Sequence, residues 1–337
     1  MRPGPDTRRA VPGLIPGTGE TGPTPRRPAG PSAVWDDRVV EVAALGLLVL
    51  GVALAEPVSR ALAAARWPAR DPVGALLVWQ AVGLAGGLAL VGAGAVYGLA
   101  PLGPDLTTAL AVLATRPEAV LTVGTDHLLG LALGAGLASW LLGVMAATTT
   151  RTLRARRRHC DLLDVLATPW PTVPGAHVLD HAAPVAYCLP GRRARLVLSV
   201  GTLEALDPGQ VVAVLAHERA HLRERHDLVV LPFVAWGATA PFVQGMVRAQ
   251  VAVAALIEMR ADDVAAAHTR PAELACALRT VGGAAPAAAL GSFVTALDRR
   301  LARITAPPAP LPAPVWALVR LAAAALVALP PVALLVS

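Results

Sequence analysis

The sequence predicts a mainly α integral membrane protein, with about four transmembrane helices and a cytoplasmic α+β domain between the third and the fourth. Three observations predict it. Of the 337 residues, 55% are hydrophobic and only 15% charged, where soluble domains carry about a quarter charged. The apolar residues gather into runs long enough to cross a bilayer. The basic residues, every one an Arg, cluster beside those runs as in the cytoplasmic loops of membrane proteins. The net charge of +6 comes with no aromatic-interleaved basic face and no nucleic-acid motif. The implied partner is therefore the lipid bilayer, and direct nucleic-acid binding is not expected.

Residues 1–34 form a Pro/Gly-rich tail with scattered Arg, too poor in apolar surface to fold, and are expected to be disordered. They also lack the apolar core of a signal peptide. Residues 35–150 hold three spans: Val39 to Ala55, Val73 to Ala100 and Leu128 to Thr150. Crossing a hydrocarbon core of about 30 Å takes roughly 20 helical residues. Glycines in the second and third runs (Gly83, Gly86, Gly87; Gly130, Gly134, Gly136) suit close helix packing in lipid. Residues 151–305 form the domain, 306–314 a Pro-rich linker and 315–337 the fourth span, with Arg320 near its start. Arg60, Arg66 and Arg70 follow the first span, and Arg151, Arg154, Arg156, Arg157 and Arg158 follow the third. Only Arg116 follows the second. This asymmetry predicts a multi-pass protein of the cell membrane with the region before the fourth span cytoplasmic. Cys160, Cys188 and Cys276 are far apart and form no CxxC pair, so free thiols are expected rather than disulfides or a cysteine metal site.

Within the domain, Ala183 to Leu189 and Arg195 to Val200 read as strands around a Pro190-Gly191 turn. Asp207 and Pro208 then open a helix, with Val211, Val214 and Leu215 at helical spacing. It runs into His217-Glu218-Arg219-Ala220-His221. Residues four apart share a helix face, so both imidazoles can reach one ion, and Glu218 beside them can take a proton from water. A catalytic zinc wants a third protein ligand and an open position. His226 falls about 180° round a continuing helix from His217 and is expected to be a solvated residue at the helix end. Glu258 is the stronger candidate. Asp262, one turn further on, is placed to accept the free N–H of a ligating imidazole. His127, His159, His177, His181 and His268 have no partner at metal spacing and are expected to be structural or solvated. Leu228 to Ile257, with Arg248 its only charge, is short for two crossings. It is expected to form a buried or membrane-dipping helical hairpin broken near Pro232 and Pro241. The first strand can pair with an extended substrate or stand as an internal strand of the domain; the first reading makes Ala183, Val185 and Tyr187 candidate substrate-binding residues.

The order of apolar spans, Arg cluster, strand pair, Val212-to-His221 helix, apolar segment and Glu258-to-Asp262 resembles the BlaR/MecR-type antirepressor metallopeptidases. It is also similar to the HtpX and CAAX-prenyl endopeptidases, which share HExxH followed by ExxxD. The resemblance covers roughly Arg38 to Val336, with its specific motifs in Val212 to Asp263 and, more weakly, Tyr187 to Leu203. It implies a zincin-type (gluzincin) domain in which His217, His221 and Glu258 hold one Zn2+, Glu218 is the base and Asp262 stands behind the ligands. It further implies a zinc-dependent endopeptidase that cleaves a cytoplasmic protein, in the antirepressor case a DNA-bound transcriptional repressor. The β-lactam antirepressors carry an extracellular sensor domain after the last span; this sequence departs from that pattern, ending at Ser337 directly after the fourth span, so the resemblance leaves open what it senses and whether it senses at all. Two functions compete with repressor cleavage. One is quality-control cleavage of membrane proteins by the same chemistry, and the other a non-catalytic membrane scaffold or metal sensor. Glu218 argues against the scaffold, because a closed structural zinc site needs no general base.

Overall fold

The computed structural model describes residues 37–103, 105–191, 194–283 and 290–336; the expected disordered tail, 1–34, lies outside them. Four of the described helices are long and apolar enough to cross a membrane: Arg38–Ala64, Pro72–Leu102, Thr125–Leu166 and Ala313–Leu334. The first is α1 (Asp37–Ala53), which passes through a widened turn at Leu54–Val58 into α2 (Ser59–Ala64). Pro57 sits in that turn and has no N–H to donate. The Ser59 hydroxyl donates to the Leu54 carbonyl instead, at 2.6 Å. α3 (Pro72–Leu99) starts on a Pro in its first turn, and the Asp71 carboxylate accepts from Gly74 N at 3.0 Å, an ordinary N-cap. After the short α4 (Leu106–Thr115), α5 (Thr125–Leu166) is unbroken for 42 residues. It does not stop at Thr150 but carries the Arg cluster on into the domain, because 151–166 contains neither Gly nor Pro to end it.

The sheet follows as β1 (Ala167–Pro169), β2 (Ala176–Leu179), β3 (Ala186–Leu189) and β4 (Arg195–Ser199). Its order is β1-β2-β4-β3, with β2 and β4 parallel and the other pairs antiparallel. β3 is therefore an edge strand. It starts at Ala186 rather than Ala183 because side chains take the preceding backbone groups. Ser199 Oγ donates to Ala183 O at 2.7 Å and accepts from Val185 N at 2.9 Å, and Thr202 Oγ1 donates to Val185 O at 2.8 Å. Side chains of β4 alternate: Leu196 and Leu198 pack with Val211, Val214 and Leu215, while Val197 turns to Leu163 of α5.

The chain continues through α6 (Val200–Ala205) and α7 (Pro208–Arg223), α7 opened by Asp207 N donating to Gln210 Oε1 at 3.3 Å. Arg225, at φ 54°, is the one described non-Gly residue in the left-handed region and turns the chain sharply. Then come α8 (His226–Thr239), α9 (Gln244–Ala266), α10 (Pro271–Gly283), α11 (Leu290–Thr305) and α12 (Ala313–Val336). α8 and α9 form the expected hairpin, turning beside Pro241, but Pro232 lies inside α8 without ending it. The hairpin docks on the spans. Phe233 meets Trp79 edge to face at 6.3 Å, Gln80 Nε2 donates to Val229 O at 2.8 Å, and Gly245 N donates to Glu56 Oε2 at 2.6 Å.

α3 is the central span, with α1, α5 and α12 packed against it. At Gly94 the backbones of α3 and α5 touch: a Cβ there would stand 2.7 Å from Gly130 O and 2.8 Å from Gly134 Cα. Gly87 and Gly136 are different from expectation and face open space, and Gly83 is covered by the Trp236 ring of the hairpin rather than by another span. One end of the bundle gathers the loop after the first span, the domain and the linker. Arg70 donates to Ala309 O and Pro310 O at 2.9 and 3.0 Å, Arg303 Nε to Ala69 O at 2.8 Å, and Arg320 to Asp71 at 2.9 Å.

Candidate metal centre

α7 carries His217, Glu218 and His221, and α9, packed against it, carries Glu258 and Asp262. Small, fully buried side chains, Ala220 and Ala261, stand where the two helices meet. His217 Nε2 lies 3.1 Å from His221 Nε2, and the Glu258 oxygens lie 3.5 Å from the first and 3.6 Å from the second. All three donors fall within 4.8 Å of one another. Ligands about 2.0–2.1 Å from a tetrahedral zinc stand roughly 3.3 Å apart, so both the spacing and the donor set fit this ion.

Behind the cluster, Asp262 is 1% exposed, with Oδ1 3.1 Å from His217 Nδ1. That approach is off the N–H line, so His217 Nδ1 has no aligned hydrogen bond and the contact is one of charge. Asp262 itself is gripped by Arg300, whose Nε and Nη2 each donate at 2.8 Å, while Nη1 stands 2.9 Å from Glu258 Oε2. Arg300 thus joins the third candidate ligand to the carboxylate behind the first. The residue was not singled out in the sequence, where no spacing rule connects α11 to the motif on α9.

The electrostatics divide the cluster. Burial disfavours the His217 imidazolium, but the Asp262 and Glu258 carboxylates beside it outweigh it and raise its pKa to about 9. Burial dominates at His221 and lowers it to about 4. Burial would raise Glu258, yet the His217 hydrogen bond and the Arg300 charge hold it down at about 2. Glu218 moves the other way: burial raises it. Cys188 of β3 is its hydrogen-bonding neighbour, and burial, with the Glu218 charge next, pushes that thiol well above its usual range.

His226 is not the solvated end residue expected. It is 4% exposed, with Nδ1 3.0 Å from His221 Nδ1. The helix does not continue past Arg223; the left-handed Arg225 swings His226 back over the last turn of α7. It faces the rear of His221 and is not among the donors grouped around the candidate ion.

The site opens into a cleft of about 1250 Å³, walled on one side by residues 186–190 and on another by α9. Ser199 N donates to Val185 O at 2.9 Å, which fixes the ladder's phase. By alternation Tyr187 and Leu189 turn their backbone groups to β4, whereas Ala186 and Cys188 turn theirs to the open edge. Of the three candidate substrate-binding residues, Tyr187 lines the cleft. Ala183 and Val185 do not, their backbone groups being held by Ser199 and Thr202. Of the remaining histidines, His127 contacts Tyr97 O at 2.7 Å, His159 Tyr187 OH at 2.8 Å and His268 Val264 O at 2.8 Å. The three cysteines are free thiols.

A membrane-type helix bundle with a His/His/Glu cluster beside a glutamate is an arrangement that suits a metallopeptidase. Residues 150–287 match the model of peptidase family M48, a stretch that includes both α7 and α9. The match supports a metallopeptidase of that family of zinc enzymes, and with it a protein substrate; it does not single out the BlaR/MecR type. No curated protein and no solved structure matches the chain.

Proposed function

We propose that this protein is a membrane zinc endopeptidase that hydrolyses peptide bonds of a polypeptide laid along β3, at the cytoplasmic end of its helix bundle. The observation that carries the reading is the spacing of His217, His221 and Glu258 around one ion-sized point, with Glu218 next to it at the foot of an open strand edge. His217, His221 and Glu258 would hold the zinc. When bound, zinc supplies a Lewis acid that polarises the scissile carbonyl and acidifies water. Glu218 takes the proton released by the attacking water and hands it to the leaving amine. Burial favours that double role by raising its proton affinity. The backbone groups of Ala186 and Cys188 receive the substrate as an added strand, with Tyr187 between them on the cleft wall.

The resemblance to antirepressors makes a cytoplasmic transcriptional repressor the first substrate class. A second reading, membrane proteins under quality control, is favoured by the cleft itself. Its α8 and α9 walls are apolar at Val230, Val247, Val251 and Ala254, next to the spans. The two readings part in one experiment: a comparison of protein N-termini across the proteome in cells expressing wild type or Glu218→Gln at equal level. A new N-terminus inside one DNA-binding protein, present only with wild type, supports regulation. Many new N-termini in membrane proteins support quality control. Identical N-termini under every stress tested would remove the peptidase reading and leave the scaffold.

A further inference from the structure

We infer that His226 is a positioning residue for the metal centre: it accepts the Nδ1 proton of His221 and, backed by Glu224 and Arg260, fixes that ligand's tautomer and ring orientation. The inference rests on the reading of His221 as a metal ligand. His221 turns Nε2 toward His217 and Glu258, at 3.1 and 3.6 Å. With the Nε2 lone pair given to the ion, a neutral imidazole carries its proton on Nδ1. That nitrogen lies 3.0 Å from His226 Nδ1, with the rings at 85° and their centroids 4.8 Å apart.

Two imidazole nitrogens form a hydrogen bond only when one has the proton and the other does not. Here the direction is forced, so His221 donates and His226 Nδ1 accepts. The His226 proton then sits on Nε2, which lies 3.3 Å from Glu224 Oε2. Glu224 accepts in turn from Arg260, Nη2 at 2.6 Å and Nε at 2.9 Å. Every donor in the series meets an acceptor. In the opposite direction His221 would carry its proton on Nε2, in the ion's place, and His226 would aim a bare nitrogen at a carboxylate.

Ligating histidines commonly give their second N–H to a carboxylate, a carbonyl or water. In this chain a second imidazole stands between the ligand and the carboxylate, seated there by the turn at Arg225. His217 has Asp262 directly behind it, so the two ligands are held by different devices.

Zinc affinity of the full chain in lipid nanodiscs, measured by competition with a chromogenic chelator, tests this. The thermal melting of the metal-stripped protein is recorded alongside. His226→Leu keeps bulk but removes the acceptor, whereas His226→Gln keeps one acceptor and one donor. The expected result is zinc binding weakened about 10- to 100-fold in the Leu variant, recovered largely in the Gln variant, with metal-stripped melting little changed in both. A Leu variant binding zinc as tightly as wild type would overturn the inference. So would equal losses in both variants with melting temperatures falling in step, which would mark a packing role. A wild-type chain that binds no zinc would remove the metal centre itself, an outcome distinct from either.

Discussion

His217 and His221 occupy one helix face yet differ in charge, and the difference has a consequence for metal loading. Flanked by Glu258 and Asp262, His217 holds its proton up to about pH 9, while His221 is neutral above about pH 4. Glu258 is ionised throughout, held at about 2. Between pH 4 and 9 an incoming zinc therefore displaces one proton, from His217, and affinity falls about tenfold for each unit the pH drops. Above pH 9 the dependence flattens, because the imidazole is then already neutral. Calorimetric titration at pH 7, in buffers of different ionisation enthalpy, is expected to show about one proton released per ion. Release of none would mean that the two carboxylates do not hold the His217 proton. At this scale the HExxH residues were legible because a helix repeats every 3.6 residues and the motif is contained in two turns. Arg300 was not legible. It meets Asp262 from 38 residues away, and only tertiary packing of α11 on α9 makes them neighbours.

Among the elements, the α8–α9 hairpin was legible from length, since thirty largely apolar residues between the two motifs are short for two crossings. Its sharp start was not: nothing about an Arg announces a left-handed backbone, so a continuing helix was the reasonable reading and misplaced His226. β1 and β2, three and four residues long, gave no period to read. β3 was read three residues too long because Ser199 and Thr202 take the backbone groups of Ala183 and Val185, a side-chain capture invisible to alternation. The hairpin's dock on the first span depends on Gly245. A Cβ there would lie 2.2 Å from Ala55 O and 2.9 Å from Glu56 Cα, backbone that cannot step aside as a side chain would. Gly245→Ala is expected to push α9 off the turn at Leu54–Val58 and cost about 1–3 kcal/mol. Gly136→Ala, facing open space, should change stability by less than about 0.5 kcal/mol. Thermal melting of both variants in one detergent separates them, and equal melting would mean that the hairpin does not pack there.

For the whole molecule, the Arg counts of the loops between spans and the contacts between distant segments point the same way, while Arg38 and the Arg residues before it count against them. Arg66 and Arg70 in the first loop and Arg151 to Arg158 on α5 belong to the end of the bundle that carries the candidate metal centre. Arg116 stands alone in the loop at the opposite end. Arg303 to Ala69, Arg70 to the linker and Arg320 to Asp71 hold that assignment within one structure: the domain cannot sit on a different side from the first loop. If the Arg-rich end is cytoplasmic, then Cys276, an exposed free thiol on α10, is shielded from outside, and the exposed Glu118 is not. A membrane-impermeant maleimide should label Glu118→Cys in intact cells and Cys276 only after permeabilisation, with each site read by peptide mass. The reverse pattern would invert every span together, since the contacts tie them to one frame. It would place the cleft outside the cell, where no transcriptional repressor could reach β3, and leave membrane or secreted proteins as the substrates.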